Sequence, residues 1–262
     1  MQTAPDASLS SVSGLGAFKS DHSPSYETRR TGLILQTGFV IVGLALIVAA
    51  FVWIGLSSSG VRFGDSSFSF VPLCFGCLAV PAGFFGLFNA WRNWGKGAAL
   101  YENGFAFKDS RGVQPVNWND IEAVWQNVTK HYRNGVYNGT TYVYTVLTND
   151  QKRLVLDTKL PGIEQLGNEI LRGSSVALFP RYWQTLQSGQ RVSFGPLAVD
   201  QHGIYHGTKS LPWSEIKAIR IQQGVISVKK EGGWFNWASV TVPQIPNFYI
   251  FYDLVKRFAT VE

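Results

Sequence analysis

The sequence predicts an α+β protein carried on a transmembrane helical hairpin, and three observations lead there. Two long apolar segments, 33–55 and 68–91, lie near the amino terminus, separated by a short polar stretch, 56–67. A phrase of strand, glycine, loop and tryptophan then occurs twice in the rest of the chain. Each occurrence is followed by hairpin-like alternation and one amphipathic stretch, and strands gathered ahead of a closing helix make an α+β layout.

Neither apolar segment contains Asp, Glu, Lys or Arg. A hydrocarbon core about 30 Å thick takes about 20 residues of helix, so each is long enough to span it. Inside lipid an isolated segment satisfies its own backbone only as a helix. Pro81 interrupts the second span and is expected to kink it. Ala79 and Gly83, one turn apart, offer a place for close approach of the first. Lys19, Arg29 and Arg30 precede the pair, Arg92 and Lys96 follow it, and only Arg62 lies in the connector. Short flanks rich in Lys and Arg stay in the cytoplasm, so both ends are expected there, with Trp53, Trp91 and Trp94 at the interfaces. The only cysteines, Cys74 and Cys77, fall in the second span with no His beside them and read as apolar thiols. Neither a metal nor a cofactor is expected.

The segment 1–31 is rich in Ser, Pro, Ala and Asp and poor in large apolar residues, so it is expected to be a disordered tail. Domain boundaries then fall at 32–91 for the hairpin, 92–190 for a first unit and 191–262 for a second. Residues 92–262 hold 19 Lys and Arg against 13 Asp and Glu, so the net charge of +6 resides there. Such a surplus attracts an anionic bilayer modestly, whereas nucleic acid calls for a denser basic stripe.

The repeat is the strongest signal in the second half. Residues 100–126 read LYENGFAFKDSRGVQPVNWNDIEAVWQ, and residues 199–221 read VDQHGIYHGTKSLPWSEIKAIRI. Gly104 matches Gly203, Trp118 matches Trp213, Asp120 matches Glu215 and Ile121 matches Ile216; Ala123 and Val124 match Ala218 and Ile219. In each copy the glycine supplies a tight turn, the acid marks a second turn, and the Ile opens a strand; the Trp and Ile are expected in the core. Hairpin patterns follow, YVYTVLT with RLVLDT and VISVKK with WFNWASV. Pro161 and Pro246 introduce the closing helices, with Ile163, Leu166, Ile170 and Leu171 on one face of the first and Phe248, Phe251, Leu254, Val255 and Phe258 on one face of the second. A further helical piece at 176–188 and a linker at 187–190 separate the copies.

The turn glycine, the Trp-x-acid-Ile phrase and the terminal helix resemble the pleckstrin-homology-like fold of bacterial membrane proteins, a curved antiparallel sheet capped by a carboxy-terminal helix. With the hairpin in front, Y-E-N-G-F and W-N-D-I-E-A-V-W-Q resemble an uncharacterised bacterial family with two membrane helices and tandem units of this kind. The resemblance spans residues 32–262. It implies a cytoplasmic binding or scaffold module at the inner membrane, engaging lipid headgroups or a membrane protein. It supplies no catalytic residue. The alternative is an accessory subunit of an envelope-stress or transport system whose units drive homo-oligomerisation.

The chain carries no nucleophile motif, no phosphate loop and no clustered carboxylates, so no enzyme is expected. His22, His131, His202 and His206 lack partners at ligand spacing. The candidate ligand-binding segment is 127–141, read as a loop that the second copy lacks, with Lys130, His131 and Arg133; Lys108 and Arg111 from the preceding turn would join them against an anionic headgroup. In the second copy, beside Lys229 and Lys230, alternation puts Trp234 and Asn236 on one face and Phe235 and Trp237 on the other; one face is core, and the aromatic left on the other is expected to pack between the copies.

Overall fold

The computed structural model describes residues 7–58 and 70–262. Arg62 and most of the polar connector fall outside the described residues. The chain opens with a helical turn, α1 (Ala7–Ser10), and a strand, β1 (Phe18–Asp21), and then runs through two long helices, α2 (Tyr26–Ser58) and α3 (Phe70–Asn93). The helix pair groups with residues 108–112 as one compact unit, and residues 7–23, 97–107 and 113–262 form another.

Both helices are long and apolar enough to cross a membrane, and most of their large side chains face outward. Glycines set their approach. A Cβ on Gly76 would sit 2.6 Å from the Ile47 side chain, one on Gly83 would sit 2.6 Å from Val40, and one on Gly43 would sit 2.8 Å from Val80. The contact stripe therefore uses Gly43, Gly76 and Gly83, with Ala79 against Gly43. Helix α3 continues through Pro81 to Asn93.

The second unit is the same plan executed twice. In the first copy β1 joins β2 (Gly97–Tyr101), β3 (Gly104–Asp109) and β4 (Gly112–Asn117) in a sheet of order β1-β2-β3-β4. A 3-10 turn, Trp118–Asp120, then leads to the antiparallel meander β5 (Ile121–Arg133), β6 (Val136–Thr148) and β7 (Arg153–Asp157), closed by α4 (Ile163–Gln187). The second copy has β8 (Val192–Phe194), β9 (Leu197–Val199), β10 (Gly203–His206) and β11 (Lys209–Pro212), ordered β11-β10-β9-β8. Another 3-10 turn, Trp213–Glu215, opens the meander β12 (Ile216–Gln222), β13 (Val225–Lys230) and β14 (Asn236–Thr241), closed by α5 (Phe248–Val255). Strand for strand, β1 corresponds to β8 and β2 to β9. The two-helix hairpin occupies the connection where the second copy has only Gly195 and Pro196.

For residues 7–31 this corrects the disordered tail, whose first six residues lie outside the described residues, and it corrects the start at residue 92. Strand β1 pairs with β2 through Ser20 and Leu100 and through Asp21 and Ala99. Leu9 and Leu15 are buried with Ala99, Tyr101 and Ala106, and the Tyr101 hydroxyl bonds the Leu9 carbonyl. Two leucines meeting a small prepared patch offset an ordering cost that the composition of 1–31 alone does not predict. The described residues 7–23 thus belong to the first copy, which begins ahead of the helices.

The two copies share one core, in which Phe105, Ile121, Val146 and Leu166 are continuous with Phe194, Ile219, Val228 and Phe251. Helix α4 is a single helix rather than two pieces. Ser174, at the join, returns its hydroxyl to the Ile170 carbonyl at 2.7 Å, and the helix passes through Pro180. Gly173 lets it close on the Trp118 ring, since a Cβ there would lie 2.6 Å from the indole. The repeat tryptophans are half-buried and act as ties. Trp118 Nε1 donates to the Glu102 carbonyl at 3.0 Å, and Trp213 Nε1 donates to the Asp200 carbonyl at 2.9 Å. Ile121 is fully buried and Ile216 half-buried.

Candidate functional site

Segment 127–141 is a hairpin rather than a loop. Asn134 and Gly135 have φ of 52° and 79°, the left-handed pair that a two-residue type I′ turn requires. Strands β5 and β6 are paired from Ile121 and Thr148 out to Arg133 and Val136. Because side chains alternate, one face carries Val124, Val128, Lys130 and Tyr132, the other Thr129, His131 and Arg133. The first of these faces begins in the core with Val124 and the buried Tyr144, whose pKa burial pushes up to about 12. Beyond Tyr144 it leaves the core and overhangs.

Under the overhang lies a groove of about 860 Å³, walled by Val128, Lys130 and Tyr132 from β5 and by Ile221, Pro243 and Phe248 from the second copy. Among the described residues, Lys130 is the only charged side chain on its lining. At the tip Tyr132 and Tyr137 meet edge to face at 6.0 Å, and the Tyr137 hydroxyl bonds Thr140 at 2.8 Å. Tyr132 is 63% exposed, Val136 70% and Tyr137 56%, so the tip is apolar and uncovered.

One border of the groove is an open sheet edge, because β5 is the last strand of its sheet. At its base that edge is capped by Asn247, whose backbone sits at φ 51°. The Val124 N–H donates to Asn247 Oδ1 at 2.9 Å, the Val124 carbonyl accepts from the Asn247 N–H at 2.8 Å, and Asn247 Nδ2 donates to the Glu122 carbonyl at 3.1 Å. Register with β6 is unbroken from Ala123 to His131. By the two-residue period, the N–H and C=O of Gln126, Val128 and Lys130 point the same way as those of Val124, away from β6. No strand pairs with them among the described residues.

The basic residues predicted from the sequence do not form one patch. Lys130 faces the groove, while His131 and Arg133 lie on the opposite face, where the His131 ring bonds the Thr141 hydroxyl at 2.7 Å. Arg111, at the β3–β4 turn beside Lys108, is paired with Asp109 at 2.8 Å, and that carboxylate raises its pKa. Trp234 and Phe235 do not pack between the copies: they sit in the β13–β14 turn, 97% and 88% exposed, ahead of the first residue of β14. The next aromatic, Trp237, packs against the core and meets the His206 ring edge to face at 6.3 Å. Sequence reasoning missed the far wall of the groove, Ile221, Pro243 and Phe248, because nothing local marks residues that a distant hairpin will overhang. The hairpin itself was signalled by Asn134-Gly135 between alternating runs.

A family model described as a family of unknown function, DUF6585, matches residues 4–261 and so takes in α1, β1 and both long helices. No curated protein matches the chain.

Proposed function

We propose, for a chain that belongs to the DUF6585 family of unknown function, a membrane-anchored binding and scaffold protein that holds a segment of a membrane-protein partner in the groove beneath the β5–β6 hairpin. Its two copies are read as pleckstrin-homology-like units, each a four-stranded and a three-stranded sheet closed by a helix. The first is interrupted by a transmembrane hairpin. The Lys and Arg flanking that hairpin support an orientation with both ends in the cytoplasm, at the inner membrane of a bacterium.

The groove carries this reading. An uncovered, largely apolar recess of this volume with one charged residue suits an apolar segment better than a headgroup, which needs several converging cations. The split of Lys130 from His131 and Arg133 weighs the same way. The test is affinity purification of the tagged full-length protein from its native membrane, with mass spectrometry of retained proteins and lipids. A stoichiometric membrane protein is expected with wild type and with the Lys130→Ala, His131→Ala, Arg133→Ala triple variant. It should be lost with Val128→Asp and Tyr132→Asp, both at exposed positions. Anionic lipid retained without protein, and lost in the triple alanine variant, would replace the groove reading with headgroup binding.

A further inference from the structure

We infer that a second copy of this chain is one occupant of the groove: two β5 strands pair edge to edge, antiparallel, about a two-fold axis at Val128, and each overhanging tip fills the other copy's groove. The inference rests on the groove's being a binding site and names a partner for it. Three features of one chain fit each other under that single symmetry operation.

The first is the edge. Gln126, Val128 and Lys130 present N–H and C=O groups in an unpaired row, the template that an added strand completes. An antiparallel pair centred on Val128 sets Gln126 opposite Lys130 of the partner subunit and Val128 opposite Val128 of the partner subunit. All three outward residues are used on both strands. The lysines face glutamines across the pair, not each other, so no like charges are set directly opposite.

The second is the tip. Continuing the same register sets Tyr132 of the partner subunit opposite Val124, where Asn247 already caps the edge. There the incoming strand must leave the sheet. Its Tyr132 and Tyr137, on the face that looks into the groove, come against Pro243 and Phe248. The exposed apolar tip and the open apolar groove, otherwise two separate liabilities, cover each other.

The third is charge. Among the described residues the lining has no carboxylate and a single lysine, and the groove-facing side of the tip brings Tyr132 and Tyr137, with Arg133 and Val136 on the other face, so no carboxylate is buried and no second cation is brought against Lys130. Two spans that confine the chain to a bilayer also raise its local concentration, which favours pairing of this modest length.

The experiment uses the full-length protein in mild detergent, in a Cys74→Ser, Cys77→Ser background. Residues directly opposite in a hydrogen-bonded antiparallel pair have Cα atoms about 5.5 Å apart, within disulfide range. Val128→Cys is therefore expected to cross-link to a covalent dimer in most molecules on mild oxidation. Gln126→Cys and Lys130→Cys should each give no covalent dimer alone and cross-link when mixed. Val128→Pro gives up only an outward N–H and no bond to β6, so it should fold and run as a monomer by light scattering where wild type runs as a dimer. A monomeric wild type, equal cross-linking at 126 and 128, or a Val128→Pro variant that stays dimeric would each overturn the inference. If wild type is monomeric yet a partner protein is lost in the Val128→Asp, Tyr132→Asp variant, the groove function stands and only self-pairing falls.

Discussion

The two copies solve the same turn problem with different atoms. In the second copy the N–H groups of His202 and Gly203, at the β9–β10 turn, donate to Asp200 Oδ1 at 2.8 and 3.1 Å. In the first copy the residue at the matching position is Tyr101, which has no such acceptor. There the N–H of Asn103, which matches His202, donates instead to the Leu15 carbonyl at 2.8 Å, and the neighbouring Glu102 N–H donates to the Ala17 carbonyl at 2.9 Å. The amino-terminal segment does in one copy what a carboxylate does in the other. A second contrast has the same character: Asn134-Gly135 and Gln223-Gly224 are both two-residue turns with positive φ, but the first sits at the end of strands of 13 residues and the second at the end of strands of 7 and 6. The copies thus differ in what is inserted at matching connections of a common plan, and only the first has been lengthened into a groove wall and opened for the two long helices.

The most severe way to break this comparison is to make the first copy connect as the second does. His22 donates its N–H to the Ala98 carbonyl at 2.7 Å, so the two strands are still in register at that point. Replacing residues 23–97 by Asn-Gly supplies a type I′ turn of the required two residues. The variant is expected to move from the membrane fraction to the soluble fraction and to unfold in one cooperative transition by circular dichroism. Insoluble or non-cooperative material would show that the helices are part of the fold and not an insertion in it.

The repeat glycines sharpen the comparison with a smaller effect. A Cβ on Gly104 would lie against the Val116 carbonyl oxygen inside contact distance, and one on Gly203 would do the same to the Leu211 carbonyl. Both obstacles are backbone and cannot swing aside. Gly104→Ala and Gly203→Ala are each expected to cost about 3 kcal/mol, as overpacking against a fixed neighbour does. Equal losses by chemical denaturation would support equivalence of the two sites. A loss confined to one copy would show that the other sheet can shift.

Those two glycines, with their tryptophans, were the legible part of the fold, because a turn that excludes a Cβ and an indole that ties it leave the same residues at the same spacing in each copy. Strand β1 was not legible. Phe18–Asp21 is short and half polar, and its partner β2 lies beyond both long helices, so neither composition nor alternation could join them. The groove was half legible: Asn134-Gly135 marks its hairpin, but three neighbouring basic residues read as one patch only until strand alternation puts Lys130 on one face and His131 and Arg133 on the other. In the second copy β14 starts at Asn236, so Trp234 and Phe235 precede the alternation and both lie in the turn.

The smallest expected effect separates the copies by pH. Burial pulls the Asp200 pKa upward, but hydrogen bonds from the Tyr205 hydroxyl and from the N–H groups of His202 and Gly203 outweigh it and hold the carboxyl below its usual range. A carboxylate whose folded pKa is depressed stabilises the fold above its unfolded pKa, and that contribution is lost as pH falls through the folded value. Asp200→Asn keeps an acceptor oxygen for the two N–H groups and removes the charge, which should cost about 1 kcal/mol at pH 7. Below the folded pKa the wild-type side chain is itself neutral, so the gap between wild type and variant should close. The first copy, whose turn is held by Ala17 and Leu15 carbonyls that do not titrate, contributes nothing to that gap. Denaturant midpoints of the two proteins over a pH series descending from 7 measure it directly. A difference that does not narrow anywhere along the acid side of that series would mean that the shape of the side chain, and not its charge, secures the second turn.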